Sequence, residues 1–555
     1  MRRVAAYNPD DAAARAGPVT LIRPLPAAWA RIGTLLVLAA WALTMGVLVN
    51  RSYIQAAPVS LAADLARYGG DAQWRGVYYR GDKIGFMVGE TVPTADGFEL
   101  REEGQLQMAL LGATSAARLR TLVQVDREFS VRSFAFTLDP GTGAVEVSGR
   151  VDGRRLDLTI ATPSGRRTES REMPEAPSLA LNLPRRLAAA GLAAGTRHEV
   201  TLFDPATLRN APMTIEVEAR EVVRAAGRPV PAFRLRSSFS GITSLSWVTD
   251  TGEVVKEESP LGLVVVRETR DQALNLGVPP SIRADMLEAA AVVPRNAPRI
   301  DDPGAVQRLR LRLENAGSLS ADDVQGAGQT VDGDVFEIRD LQTQPGGPPD
   351  PDVARYLAPE AFIESDAPEI LEEARQALAK VTGPRARAEH LVRHVNAMLE
   401  KKPTVSLPSA SEVLRTRVGD CNEHTALYVA LARASGLPAR IAVGLVYLRG
   451  GFYYHAWPEV YVEERGRGLW LPVDPTLNQF PADATHVRLA RGGLDRQAVV
   501  LPLIGRLQMT VLDVQLAPGS TPILVGRPAP SATAPFVPPR PPETRKDCWS
   551  SWDAT

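Results

Sequence analysis

A cysteine that opens a helix-like segment constrains the fold of this chain more than any other feature. Cys421 follows Gly419-Asp420, and the apolar residues after it recur with helical spacing. Asp420 is a residue type that caps helices, and the positive end of a helix dipole favours a thiolate over a thiol. The sequence therefore predicts a helix whose first turn presents an activated cysteine.

An imidazole and a carboxylate follow this cysteine in strand-like surroundings. His455 lies in an aromatic run, and Asp474 follows the short run Leu469-Trp470-Leu471. In a thiol acyl-transfer site the sulfur attacks, an imidazole carries the proton, and an acid orients the imidazole. We therefore predict that Cys421, His455 and Asp474 form a catalytic triad.

Four motifs around these residues resemble the transglutaminase-like superfamily in its bacterial form. They are Gly419-Asp420-Cys421, Gly436-Leu437-Pro438-Ala439-Arg440, His455-Ala456-Trp457-Pro458-Glu459-Val460 and Asp474-Pro475-Thr476, in the order that the family shows. The resemblance implies a papain-like core, in which a helix carries the cysteine and an antiparallel sheet carries the histidine and the acid. It also carries the catalytic roles of the family onto Cys421, His455 and Asp474.

Other polar residues near the predicted triad have simpler interpretations. His424 lies on nearly the same helix side as Cys421, and we expect it to be structural rather than a competing base. Glu423 and Glu459 are expected to be local hydrogen-bonding partners. Trp457 is expected to wall the site and exclude water.

The middle of the chain, from about Trp74 to Thr269, reads as strands and turns. Hairpins are predicted at Gly76–Phe86, Glu146–Leu158 and Leu245–Glu253, with one helix-like break at Leu183–Ala194. We expect an antiparallel β meander, which could form a curled sheet. Its concave face could bind lipid or peptide, or the whole region could be a scaffold for the enzyme.

A smaller unit and a helical lead-in come before the cysteine. The sequence predicts strands at Ala289–Val293 and Leu309–Leu313, a hairpin at Val331–Ile338, a Pro/Gly-rich linker at Gln342–Asp352, helices at Ala367–Val381 and Ala386–Glu400, and late strands at Ala484–Leu489 and Leu501–Val514. The alanines of Ala289–Val293 suit a helix end equally well.

An apolar run near the N-terminus predicts a membrane anchor. Ile32–Val49 carries no charge and is just long enough to span a bilayer core. The arginines that precede it are Arg2, Arg3, Arg15, Arg23 and Arg31. This charge bias predicts a cytoplasmic N-terminus. One alternative is a cleaved signal peptide. The long N-terminal lead and the proline at position 58, directly after Ala56-Ala57, argue against cleavage. A second alternative is a core helix of a soluble domain, which the one-sided distribution of the arginines disfavours.

The predicted chain is thus an α+β protein with a papain-like transglutaminase core, antiparallel β-rich domains before it and one N-terminal transmembrane helix. The predicted segments are 1–31 (cytoplasmic), 32–49 (transmembrane), 70–275 (β-rich domain), 279–349 (small β-rich unit and linker), 351–517 (transglutaminase-like domain) and 518–555 (Pro-rich disordered tail). The Arg/Ala/Pro-rich composition suggests a high-GC bacterium, with the protein single-pass in the inner membrane and its bulk in the periplasm.

Composition narrows the choice of function. The formal net charge is −1 and no basic motif is interleaved with aromatic residues, which gives no support for nucleic-acid binding. Cys421 and Cys548 are the two cysteines, and a bridge between them would inactivate the predicted nucleophile. No zinc spacing, phosphate loop or calcium-type acidic loop stands out, so neither a metal nor a cofactor is predicted.

These patterns lead to two functional hypotheses of different class. The first is a thiol acyltransferase or peptidase that attacks amide bonds of envelope proteins or peptides and passes through a thioester. An amine acceptor would give transamidation, whereas water would give deamidation or proteolysis. The second is a non-enzymatic assembly protein whose β region and Pro-rich tail bind partners.

Overall fold

The computed structural model describes residues 72–518, except 111–112, 142, 240, 261, 277–290, 297–299, 318, 343–345, 403–406, 408 and 493–497. The predicted transmembrane run Ile32–Val49, the Pro-rich tail beyond residue 518 and Cys548 lie outside the described residues. Within the described part of the chain, no helix combines the length and the apolar character needed to cross a bilayer.

One large antiparallel sheet contains the first fourteen strands. They are β1 Gln73–Tyr79, β2 Asp82–Thr94, β3 Gly97–Leu110, β4 Ala113–Val125, β5 Val131–Asp139, β6 Val145–Asp152, β7 Arg155–Thr162, β8 Gly165–Glu172, β9 Arg197–Asp204, β10 Arg209–Ala225, β11 Arg228–Phe239, β12 Ile242–Val248, β13 Val254–Glu258 and β14 Leu263–Arg267. Strands β1 to β8 form one meander and β9 to β14 a second, and the pairing of β1 with β14 joins them. The predicted β meander is therefore confirmed.

Turn chemistry explains the predicted hairpins in this sheet. Arg80 and Gly81 join β1 to β2 with positive φ at both positions, the geometry whose twist matches paired strands. Gly153, also at positive φ, opens the turn between β6 and β7. The hairpin of β12 and β13 is likewise present. The predicted helical break is helix α1, Leu183–Ala190, which ends before Gly191.

The apolar core of this sheet extends to the segment that leads into the cysteine helix. Phe134 packs against Phe203, with ring centroids 5.6 Å apart. The same buried cluster includes Phe362 and Leu407, which precede the predicted catalytic helix. The large sheet therefore packs against the approach to the candidate site.

A second sheet has four antiparallel strands in the order β16-β17-β15-β24. Its strands are β15 Val306–Glu314, β16 Gln329–Asp332, β17 Val335–Arg339 and β24 Gln508–Leu516. The predicted strand Leu309–Leu313 and the predicted hairpin Val331–Ile338 are confirmed. In the described part of the chain, the expected strand Ala289–Val293 is reduced to an isolated bridge of Val292 with Phe452, and residues 289–290 are not described.

The predicted strand Leu501–Val514 begins too early. Ala498–Leu503 is a 3₁₀ helix, and β24 starts only at Gln508. Pro502 explains the difference, because a proline has no backbone N–H to contribute to a strand ladder.

The core that carries the predicted triad combines helices with a third sheet. Helix α2, Arg270–Leu274, lies against β1 and β2 of the large sheet. The helices that follow it are α3 Ala321–Val324, α4 Pro368–Ala377, α5 Pro384–Met398, α6 Ala410–Thr416 and α7 Cys421–Ala434, with 3₁₀ helices at Pro303–Ala305 and Val353–Leu357. The sheet has the order β22-β21-β20-β23, formed by β20 Ala439–Leu448, β21 Gly451–Glu464, β22 Arg467–Pro472 and β23 Val487–Arg491. A short parallel pair, β18 Glu400–Lys401 and β19 Val418–Gly419, lies beside them. The predicted mixture of helices and antiparallel sheet is confirmed.

Element boundaries in this core differ only at the ends from those expected. The helix predicted at Ala367–Val381 ends at Ala377, and the helix predicted at Ala386–Glu400 is α5, which starts at Pro384, a residue well suited to a first helical turn. The strand predicted from Ala484 begins at Val487 and does lie at the sheet edge. In the Pro/Gly-rich linker, Asp350 accepts a 2.9 Å hydrogen bond from Trp470. The described part of that linker is thus held against the core.

Candidate active site

Cys421 is the first residue of α7 and lies within a capping box. The Asp420 carboxylate accepts a 2.8 Å hydrogen bond from the Asn422 backbone N–H, and the Glu423 carboxylate accepts a 2.9 Å bond from the Asp420 N–H. Gly419 is required beside this box, because a Cβ there would lie 2.2 Å from that of Glu423. The cysteine helix therefore starts where the sequence predicts.

The thiol of Cys421 is harder to ionise than its helix position suggests. Burial raises its pKa well above the ordinary value, and the Asp420 carboxylate acts in the same direction. A hydrogen bond with the backbone of Ala456 lowers the pKa without restoring it. The expected preference for thiolate is thus outweighed at rest, and a neighbouring base must take the proton when the sulfur reacts.

His455 and Asp474 form a buried pair. His455 lies on β21, and its Nε2 is 2.7 Å from Oδ2 of Asp474. The Asp474 side chain has no exposed surface, and that of His455 is 7% exposed. With Nε2 engaged, Nδ1 is the nitrogen left to exchange a proton with a thiol. Cys421 contacts the backbone of Ala456, the residue directly after His455.

Both carboxylate oxygens of Asp474 are saturated with donors. Oδ2 faces His455 and also His486, whose Nε2 is 3.1 Å away. Oδ1 accepts backbone hydrogen bonds from Thr476 and Leu477 at 2.7 and 2.9 Å. Burial alone would raise the pKa of Asp474, but the two imidazoles hold it far below its ordinary value. The carboxylate is therefore a permanent anion.

His486 is the residue of this site that the sequence analysis missed. It precedes β23, is buried, and places Nδ1 3.2 Å from Oδ1 of Asp483. Burial alone would lower its pKa, but the hydrogen bonds to Asp474 and Asp483 raise it to about 10. Asp483 has its own pKa lowered to about 2, because His486 and Thr485 outweigh the effect of burial. The available signal was Asp483 and His486, three residues apart, shortly after Asp474.

Among the described residues, His455, Asp474 and His486 form the one group whose side chains could together hold a metal ion. The ligand atoms of His455, Asp474 and His486 lie within 4.8 Å of one another. Two imidazoles and a carboxylate can bind several divalent metals. Here the facing atoms already hydrogen-bond to each other, and His486 has an acceptor at each ring nitrogen. A doubly protonated imidazole has no lone pair for a metal, so the trio does not fit as a ligand set.

Aromatic and polar neighbours enclose the pair as expected. The buried Trp457 ring lies 6.2 Å from the ring of His455 and 5.1 Å from that of His486. His424 is fully buried, and its Nδ1 is 2.7 Å from the Asp420 carbonyl oxygen. Burial lowers the pKa of His424. A neutral imidazole tied to its own helix fits the structural role expected for it.

Glu459 is a buried hydrogen-bonding partner, as the sequence predicts. Its carboxylate accepts bonds from Arg440 at 2.7 Å, from Arg491 at 3.0 Å and from Arg488. Burial would raise the pKa of Glu459, but the three guanidinium groups hold it well below its ordinary value. This cluster ties β20, β21 and β23 together, four residues along β21 from His455.

Comparison with known proteins supports the resemblance seen in the motifs. Residues 372–475 match the family model of the transglutaminase-like superfamily. No curated protein matches the chain in sequence. The family match supports a cysteine-dependent enzyme in general terms.

Several solved structures are also similar to this chain. A proposed cysteine protease from Cytophaga hutchinsonii is 16% identical, covers 41% of this chain and 85% of its own, and has a TM-score of 0.24. A β-barrel-like protein of unknown function from Brucella abortus is 12% identical, over 36% of this chain and 95% of its own, with a TM-score of 0.28. A proposed protease from Parabacteroides distasonis is 12% identical, over 64% of this chain and 67% of its own, with a TM-score of 0.20. These TM-scores are too low to add to the family match.

Proposed function

Because residues 372–475 carry a transglutaminase-like domain, we propose that this protein is a membrane-anchored thiol enzyme that acts on amide bonds of protein or peptide substrates in the bacterial envelope. The observation that carries the proposal is the buried 2.7 Å pair of His455 and Asp474, next to the first turn of the cysteine helix. A buried carboxylate is costly, and its hydrogen bond with a ring nitrogen of His455 is the arrangement that orients a catalytic base.

The first half of the reaction would acylate the enzyme. Sγ of Cys421 attacks the carbonyl carbon of an amide, while the thiol proton passes to Nδ1 of His455. The backbone N–H of Cys421 donates to the developing oxyanion. The imidazolium then gives its proton to the leaving amine, the carbon–nitrogen bond breaks, and a thioester remains. Asp474 stays ionised and stabilises the imidazolium.

The second half would release the acyl group to an acceptor. An amine that attacks the thioester carbonyl gives a new amide, and water gives an acid. His455 serves both acceptors as the base, and the thiol is regenerated. The same triad therefore supports a transglutaminase-like acyltransferase and a protease or amidase. The anchor predicted at Ile32–Val49 favours substrates at the membrane surface.

Alkylation of the full chain tests the site before a substrate is known. A Cys548→Ser background leaves Cys421 as the one thiol. We expect His455→Ala to slow iodoacetamide alkylation at pH 7 by at least about tenfold, because a thiol with a raised pKa needs a base to take its proton. His394→Ala is the matched control, since His394 is also paired with a carboxylate, Glu373 at 2.7 Å, but on α5. Equal rates in wild type and His455→Ala would contradict the proposal.

Product analysis would then separate the two acceptors. A glutamine-containing peptide is incubated with the enzyme and a labelled primary amine. Labelled peptide indicates transamidation, whereas an acid product with unlabelled peptide indicates hydrolysis. If Cys421 is readily alkylated but neither product forms, other amides should be tested as substrates. As the control, Cys421→Ala must abolish whichever product forms.

A further inference from the structure

His486 is a buried histidine next to the candidate site, and the proposed reaction does not use it. Its side chain is 2% exposed and approaches the carboxylate that holds His455. The Nε2 atoms of both histidines lie within hydrogen-bonding distance of Oδ2 of Asp474, at 2.7 Å for His455 and 3.1 Å for His486. The imidazole of His486 therefore helps to hold the carboxylate that orients His455.

The contacts of His486 determine how many protons it carries. A neutral imidazole has one N–H donor and one acceptor nitrogen. The Nε2 of His486 faces the carboxylate of Asp474, and its Nδ1 faces Asp483 at both the carbonyl oxygen (3.1 Å) and Oδ1 (3.2 Å). Since every facing atom is an acceptor, both nitrogens must donate. His486 is thus an imidazolium between two carboxylates.

We propose that His486 is a positioning residue: a fixed cation that orients Asp474 and sets the pH at which Cys421 and His455 become competent to react. The inference rests on the proposed function, because it concerns the same thiol and imidazole. His486 itself does not touch the reacting sulfur in this role and acts through Asp474.

Charge counting gives the direction of the effect. Asp474, Asp483 and His486 together carry a net charge of −1 beside His455. The uncharged Trp457 covers the other side of His486, with ring centroids 5.1 Å apart. The loss of the cation leaves two carboxylates, which would make the Cys421–His455 pair hold its proton to higher pH. Removal of one carboxylate has the opposite effect.

The charged groups near the sulfur are the same in every variant that the test needs. Asp420 and Glu423 both act on the Cys421 thiol and are left unchanged. The experiment measures iodoacetamide alkylation of Cys421 against pH, in the full chain with Cys548→Ser. We expect His486→Gln to move the midpoint up and Asp483→Asn to move it down, each on the order of half to one pH unit.

Opposite shifts are what distinguish a charge effect from a packing effect. Asp483→Asn keeps an oxygen acceptor and the backbone carbonyl that faces Nδ1, so His486 can remain charged. His394→Gln on α5 is the control and should leave the midpoint unchanged. If His486→Gln does not fold, the downward shift in Asp483→Asn still decides the matter.

Three outcomes would overturn the inference or its premise, and they differ. Variants that lower the alkylation rate without moving the midpoint would reduce His486 to a packing residue. A wild-type profile that changes on addition of EDTA would mean that the trio holds a metal, which the imidazolium excludes. Indifference of the wild-type profile to His455→Ala would instead refute the proposed function itself.

Discussion

At the scale of single residues, Asp474 is the group on which the candidate site depends. Four donors hold its carboxylate, two on each oxygen. Asp474→Asn would turn an NH₂ group toward some of these donors and would remove the charge that stabilises the His455 imidazolium. We expect Cys421 reactivity at pH 7 to fall on the order of 10²-fold or more, as measured by alkylation. An unchanged rate in a folded variant would remove Asp474 from the triad.

His486 also predicts how stability depends on pH. Its pKa is raised from the ordinary 6.5 to about 10, so its stabilising contribution is complete below pH 6.5 and is lost as pH rises through 10. Wild type should therefore exceed His486→Gln in free energy of unfolding by a constant amount near pH 6, and by less at pH 9.5. Urea unfolding at both pH values measures the difference, and a gap that widens with pH would contradict the assignment.

The sequence identified Cys421, His455 and Asp474 as candidates because each lies in its own local motif. It could not identify His486 in the same way. The contact of His486 with Asp474 depends on the turn after β22 and on the pairing of β23 with β20, which brings Gly444 opposite Arg488. The spacing of Asp483 and His486 places those two side chains near each other, but no local pattern encodes the approach of His486 to Asp474.

At the scale of elements, the capping box of α7 controls both the helix and the thiol. Asparagine caps helices as well as aspartate does, so Asp420→Asn should preserve α7 while it removes a carboxylate that raises the pKa of Cys421. We expect the midpoint of Cys421 alkylation to move to lower pH. Asp420→Ala, which also loses the cap, should in addition lose about 1 kcal/mol of stability. A midpoint that stays fixed in Asp420→Asn would show that this carboxylate does not act on the sulfur.

The cluster around Glu459 joins three strands of the core sheet. Glu459→Gln would remove the buried carboxylate that Arg440, Arg488 and Arg491 share, and the loss of one partner from a buried ion cluster typically costs about 3–5 kcal/mol. Denaturant unfolding should register a loss of this size. Glu463→Gln, at an exposed position on the same strand, is the control and should have little effect. Similar unfolding curves for the two variants would mean that the cluster contributes specificity rather than stability.

Hairpins and helices were predictable because their signals are local. The turns at Arg80-Gly81 and Gly153 carry the backbone conformations that short hairpins need. The predicted strand Ala289–Val293 lacked such punctuation, and the strand predicted from Leu501 overlooked Pro502. Local propensity thus located the elements well and failed where a proline or an alanine run gave ambiguous information.

At the scale of the whole molecule, some neighbouring strands of the sheets are far apart in sequence. Strand β24 follows the candidate site in sequence but pairs with the much earlier strand β15. Arg308 and Asp513, which are 205 positions apart, illustrate this pairing with a contact of 2.7 Å. The α+β class could be predicted from the alternation of patterns. The partner of each sheet edge could not, because pairing between distant strands is decided by packing and not by turn residues.

The predicted membrane anchor sets where the proposed enzyme would meet its substrates. If Ile32–Val49 spans the bilayer, the full chain should sediment with membranes and resist extraction at alkaline pH. Leu36→Arg with Leu38→Arg places two charges in the apolar run, each costly at the centre of a bilayer, and should release the protein from that fraction. A matched Leu36→Ala, Leu38→Ala variant should remain bound. Release of the wild type with a new N-terminus near Pro58 would establish a cleaved signal peptide, and the enzyme would then act free of the membrane.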